Sequence, residues 1–118
     1  MFHYLEHAIL LRMRLLGTGL LTALTAREEA SNPRQGHQLR EALRAWRKEV
    51  KEALWHNTAE IQRQYRSADH VGNNRVVFNI CGNKYRLVVQ FNYGVPVARI
   101  RFVGTHKEYD AIDDIKNV

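Results

Sequence analysis

A chain of 118 residues has room for one hydrophobic core and no second full domain. It carries 18 Lys and Arg against 12 Asp and Glu, a formal net charge of +6 that points to a polyanionic partner such as nucleic acid. The one cysteine, Cys81, excludes an internal disulfide and suits a reducing compartment, and no unbroken apolar run is long enough to span a bilayer.

Taken in order, Met1 to Arg12 holds Phe2, Tyr4, Leu5, Ile9, Leu10 and Leu11. It reads as an extension, 1–12, ahead of a domain covering 13–118, with Met13 an alternative start. Leucines continue to Leu24, but Arg12, Arg14, Gly17 and Gly19 interrupt them and no small-residue cleavage site follows, so a cytoplasmic location is expected. Met13 to Leu16 suits one short strand. Thr18 is expected to cap a first helix that carries Leu20, Leu21, Leu24 and Glu28 to about Ala30. Ser31-Asn32-Pro33 ends it, because the residue before proline resists the helical region. From about Arg34 to Trp55, Leu39, Leu43, Trp46, Val50 and Leu54 recur at steps of three and four, which predicts a second helix. Trp46 and Trp55 are expected to anchor it on a sheet. Thr58 is expected to cap a short third helix to about Tyr65, and Ser67 to Asn74 reads as a polar loop.

Three alternating runs follow. Val76, Phe78 and Ile80 share one face against Arg75, Val77 and Asn79. Tyr85, Leu87, Val89 and Phe91 oppose Lys84, Arg86, Val88 and Gln90; Ala98, Ile100 and Phe102 oppose Arg99 and Arg101. Gly82-Asn83 and Asn92-Tyr93-Gly94 mark the turns. The predicted fold is α+β: a small antiparallel sheet with the two long helices on its apolar face and a basic face opposite. No Asp or Glu occurs between Asp69 and Glu108, so no acid from these three strands offsets the cations.

Arg75, Asn79, Lys84, Arg86, Arg99 and Arg101 on one face, with Lys107 nearby, would hold phosphates. His106 is the candidate for proton transfer near neutrality. Tyr109 lies three residues on, and a helical tail would put both side chains on one side. With Arg86 they supply the parts for cleaving RNA by internal transfer, in which the 2′-hydroxyl attacks its own phosphorus. His3 and His7 have helical spacing but no third ligand, so neither a metal nor a cofactor is expected. Cys81 reads as a small residue at a turn rather than a nucleophile.

Three motifs in order resemble the HigB toxins of the RelE/ParE superfamily of toxin–antitoxin modules: 74–80, 82–89, and 100–110 with its Thr105-His106-Lys107-Glu108-Tyr109-Asp110 segment. Leu43-Arg44-Ala45-Trp46 and Trp55 upstream are similar to that family too. The resemblance spans roughly 13–113. It implies a RelE-like fold and an mRNA interferase that cuts translated mRNA on the ribosome, with a HigA-like helix-turn-helix antitoxin as partner. It also implies that Arg86 stabilises the phosphate, that His106 and Tyr109 act in proton transfer or RNA positioning, and that Lys84 and Arg101 lend cationic support. A ParE-like gyrase poison and a non-catalytic basic RNA-binding module are the alternatives.

Overall fold

The computed structural model of the chain describes residues 12–118. The expected extension, with His3 and His7, lies outside the described residues apart from Arg12. A short strand β1 (Arg14–Leu16) leads into helices α1 (Gly19–Ser31), α2 (Pro33–Glu52) and α3 (Thr58–Gln64). Four strands follow: β2 (Asp69–Gly72), β3 (Arg75–Ile80), β4 (Tyr85–Asn92) and β5 (Val97–Thr105). Helix α4 (His106–Asp110) and a 3-10 turn (Ile115–Asn117) complete the chain. No helix among the described residues is long and apolar enough to cross a membrane.

The sheet order is β1-β5-β4-β3-β2. The predicted meander is present and antiparallel, but β1 pairs with β5 in parallel, so the sheet is mixed rather than wholly antiparallel. The expected loop 67–74 contains a strand. Asn73 and Asn74 both adopt left-handed backbone (φ 49° and 60°), which closes a two-residue hairpin and pairs β2 with β3.

Pro33 opens α2, and the Asn32 side chain accepts the Gln35 N–H at 3.2 Å. Its stripe of Leu39, Leu43, Trp46 and Val50 is buried. The helix stops at Glu52, short of the predicted Trp55, because Ala53 turns extended. Leu54 is therefore exposed, while Trp55 is free to set its ring edge-on to Phe91 and Tyr65, with centroids 6.0 and 6.1 Å away. Trp46 meets Phe78 in the same way at 5.5 Å, so both tryptophans are core anchors. Two capping expectations are corrected. Thr18 precedes α1 but its hydroxyl makes no cap bond. Asn57, not Thr58, caps α3 by accepting the Glu60 N–H, and the Thr58 hydroxyl pairs with Tyr93 instead.

Val76, Phe78, Ile80, Tyr85, Leu87, Val89 and Phe91 form the sheet's half of the core, as their alternation predicted. The Tyr85 hydroxyl donates to Glu28 at 2.6 Å and accepts from the Gln35 amide at 2.8 Å, which ties β4 to both long helices. Strand β5 breaks the parity. Val89 pairs with Ile100 but Val88 pairs with Phe102, so Arg101 is the extra residue of a β-bulge. Past the bulge the faces exchange: Val103 turns to the core, and Phe102, expected there, turns to the outer face.

Candidate active site

The outer face is organised in cross-strand rows. Asn79, Arg86 and Gly104 form one, Val77, Val88 and Phe102 the next, and Arg75, Gln90 and Arg99 the third. Arg86 is half-buried, and its Nη1 donates to the main-chain oxygens of Asn83 and Tyr85, each at 3.2 Å. Those bonds fix the guanidinium beside the turn while leaving its other N–H groups for an anion. Gly104 leaves space opposite Arg86. A Cβ there would stand 2.7 Å from Phe102 Cζ and 3.2 Å from Glu108 Oε1, so the Phe102 ring lies over the glycine. From there it approaches Tyr109, with centroids 6.5 Å apart and planes at 46°.

Helix α4 starts on a capping box. Thr105 Oγ1 accepts the Glu108 N–H at 3.1 Å and Glu108 Oε1 accepts the Thr105 N–H at 2.9 Å. The His106 N–H donates to the Lys84 carbonyl at 2.9 Å, which sets the helix beside the β3–β4 turn. From α1, Arg27 donates to both carboxylate oxygens of Glu108, at 2.9 and 2.6 Å. Arg27 chiefly, and the Thr105 N–H next, pull the Glu108 pKa down to about 2. A lowered carboxylate pKa contributes stability above the unfolded value and loses it as pH falls through the folded one. The tether of α4 is thus complete above about pH 4.5 and released towards pH 2. With side chains 52% and 42% exposed, solvent screening holds its contribution to about 1 kcal/mol or less. Arg27→Ala is expected to speed amide exchange within α4 while moving Tm by under about 5 °C. Unchanged exchange would show that α4 stands without the pair.

His106 and Tyr109 both lie on this short helix, so the predicted helical tail is present. His106 Nε2 lies 3.2 Å from Asp110 Oδ2, one turn on in the same helix. The Tyr109 phenol is raised above its usual range, first by burial, then by Asp69 and Asp110, with Arg86 opposing. Asp69 is the acid that the run from 75 to 103 lacks: it sits in β2 opposite Val77, on the outer face. The sheet as a whole is therefore not free of acids.

The predicted phosphate-binding residues divide. Arg86 and Asn79 adjoin on the outer face, Arg99 stands exposed opposite Gln90, and Lys107 is exposed on α4. Arg75 is buried; it donates to Asn73 O at 3.0 Å and to the Val118 main-chain oxygen at 2.9 Å. Arg101 donates to that same Val118 oxygen at 2.9 Å, so the segment after the 3-10 turn holds both arginines. Lys84 lines a shallow cleft with Asn32, Arg34, Gln35 and Gln38, at the start of α2. Phe102 and Asp69 were missed by sequence reasoning. The first is hidden by the bulge; the second could be found from Asn73-Asn74, a hairpin pair that implies a strand before it.

Cys81 sits at the turn in left-handed backbone (φ 54°), and burial pushes its thiol up. Among the described residues no three His, Cys, Asp or Glu side chains gather as a metal site.

No curated protein matches the chain. A family model does: HigB_toxin, the RelE-like toxic component of a toxin-antitoxin system, matches residues 39–112. That span covers most of α2, strands β2 to β5, and helices α3 and α4, and it includes Arg86, His106 and Tyr109. With more than half its length matched, the chain belongs to the HigB toxin family of toxin–antitoxin systems.

Proposed function

We propose that this protein is an mRNA endoribonuclease that cleaves translated message on the ribosome and is neutralised by a helix-turn-helix antitoxin. The observation that carries the reading is that Arg86 lies at the end of the outer face where β5 passes into the short helix bearing His106 and Tyr109. Arg86 lies opposite Gly104, two residues before His106, and acts on the Tyr109 phenol through its charge.

In the proposed reaction His106 takes the proton of the 2′-hydroxyl, with Asp110 orienting the ring. The 2′-oxygen attacks the adjacent phosphorus, and the Arg86 guanidinium neutralises the charge that grows on the phosphoryl oxygens. The bond to the 5′-oxygen breaks, and that oxygen takes a proton from Tyr109, which is a phenol at neutral pH as any unperturbed tyrosine is. The products are a 2′,3′-cyclic phosphate and a 5′-hydroxyl, and the route needs no metal. Phe102, beside Tyr109, offers an aromatic surface on which a base next to the scissile phosphate can stack.

Expression in cells tests the reading. Growth arrest is expected, with transcripts cut inside translated regions and 5′-hydroxyl ends on the fragments. Arrest with DNA breaks and intact transcripts would identify a gyrase poison instead. RNA binding without arrest or cleavage would leave a non-catalytic module.

A further inference from the structure

The helix layer carries a second concave surface that the proposed reaction does not use. Between α1 and α2 runs a groove of about 520 Å³ that shares no residue with the outer sheet face. Leu21, Ala26 and Leu43 contribute apolar floor. Arg44, Arg47, Lys48 and Lys51 form most of its α2 wall, and Glu52 is the one acid among the lining residues. Arg40 also lines it but is engaged by Glu29, and Arg44 has Glu41 at 3.5 Å. Arg47, Lys48 and Lys51 are in no ion pair among the described residues.

From Arg40 to Lys51 the cations recur at steps of three, four and one, a helical stripe roughly 16 Å long at about 1.5 Å per residue. Like charges at that spacing repel one another on an isolated helix, so the end of the stripe from Arg47 to Lys51, which no acid pairs among the described residues, costs stability unless something anionic meets it. Long basic side chains over leucine present methylene stems below and charge above. That combination fits an amphipathic helix with leucine-like residues on one side and Glu or Asp along its edge. It fits RNA less well, because no aromatic side chain lines the groove to stack a base.

We infer that this groove is the docking surface for an acidic amphipathic helix of the antitoxin, an inference that rests on the toxin reading above. An antitoxin seated there contacts the layer opposite the outer face, and its affinity depends on Lys48 and Lys51 rather than on Arg86.

The test is the double variant Lys48→Glu/Lys51→Glu, with Lys48→Gln/Lys51→Gln beside it, measured by calorimetry against the purified antitoxin encoded beside the toxin gene. Both lysines are exposed, so both variants should fold with near-native circular dichroism and Tm. The charge-reversed variant should bind about 30-fold more weakly and the neutral one about 5-fold, with a shallower salt dependence in each. In cells the charge-reversed variant should arrest growth as the unmodified chain does, yet resist neutralisation. Affinity within about twofold of the unmodified chain would overturn the docking surface. So would loss of toxicity with antitoxin affinity retained, which would assign the groove to ribosomal RNA. If the unmodified chain itself bound no antitoxin, the toxin reading would fall first and this inference with it.

Discussion

Arg86→Ala is expected to slow the proposed mRNA cleavage by about a hundred- to a thousand-fold, the usual loss when one donor to a developing oxyanion is removed. His106→Ala is expected to cost about as much, in the range typical of a missing acid–base group. Neither residue carries much of the fold. The Arg86 side chain makes two hydrogen bonds to the main-chain oxygens of Asn83 and Tyr85, and the His106 side chain makes one exposed contact with Asp110. Stability should therefore change by about 1 kcal/mol or less, a Tm shift of under about 5 °C. Cleavage is read from fragment ends on programmed ribosomes, and folding from thermal melts of the same preparations. The combination matters: lost cleavage with an unchanged melt separates chemistry from collapse. Arg86→Lys sharpens it, since one ammonium keeps the charge but not the planar fork of donors, and should recover part of the rate. If both alanine variants cut at the unmodified rate, the site is elsewhere on the molecule.

How far this site could be read in advance depended on which physical rule governs each residue. The inner faces of β3 and β4 follow strict alternation, so the core from Val76 to Phe91 was legible, and so was the opposite placement of Asn79 and Arg86. Helical spacing likewise revealed the stripe of α2. Alternation fails at one inserted residue, and Arg101 is that residue: a bulge depends on how two strands pair, which no single strand's pattern contains. Alternation alone therefore puts Phe102 in the core, although its ring borders Tyr109. Arg75 and Arg101 could be placed on the sheet but not assigned partners. Both meet the main-chain oxygen of Val118, and nothing in the sequence near either arginine signals that distant contact. Helix α4 does carry a local signal. Thr105-x-x-Glu108 is a capping-box pattern, and it explains why His106 begins a helix instead of extending β5. Its link to Arg27 had no such local signal, because α1 and α4 meet only in the folded chain.

Gly36→Ala should be the most damaging single-methyl change in the helix layer. By intrinsic propensity it should help, since alanine exceeds glycine by about 1 kcal/mol inside a helix. The packing reverses the sign. A Cβ on Gly36 would lie 2.4 Å from Glu29 Cα and 2.5 Å from both its N and its Cγ. Two of those atoms are backbone, so no rotamer change relieves the clash, and α1 would have to move off α2. Overpacking of that kind costs about 1–3 kcal/mol and at times more. The upper end applies where the obstruction is main chain, which leaves a net loss of about 2 kcal/mol and a Tm lower by about 10 °C. Gly19→Ala is the control. It lies at the start of α1, nothing stands within 4 Å of an added Cβ, and its φ is not positive, so alanine there should be neutral or slightly stabilising. The consequence reaches the site, because α1 carries Arg27 against Glu108 and Glu28 against Tyr85. Parting the helices at Gly36 loosens the layer that holds β4 and α4 in place. Gly36→Ala should therefore lose cleavage at temperatures approaching its lowered Tm while retaining it well below. A Tm equal to or above that of the unmodified chain would mean that α1 and α2 do not approach this closely.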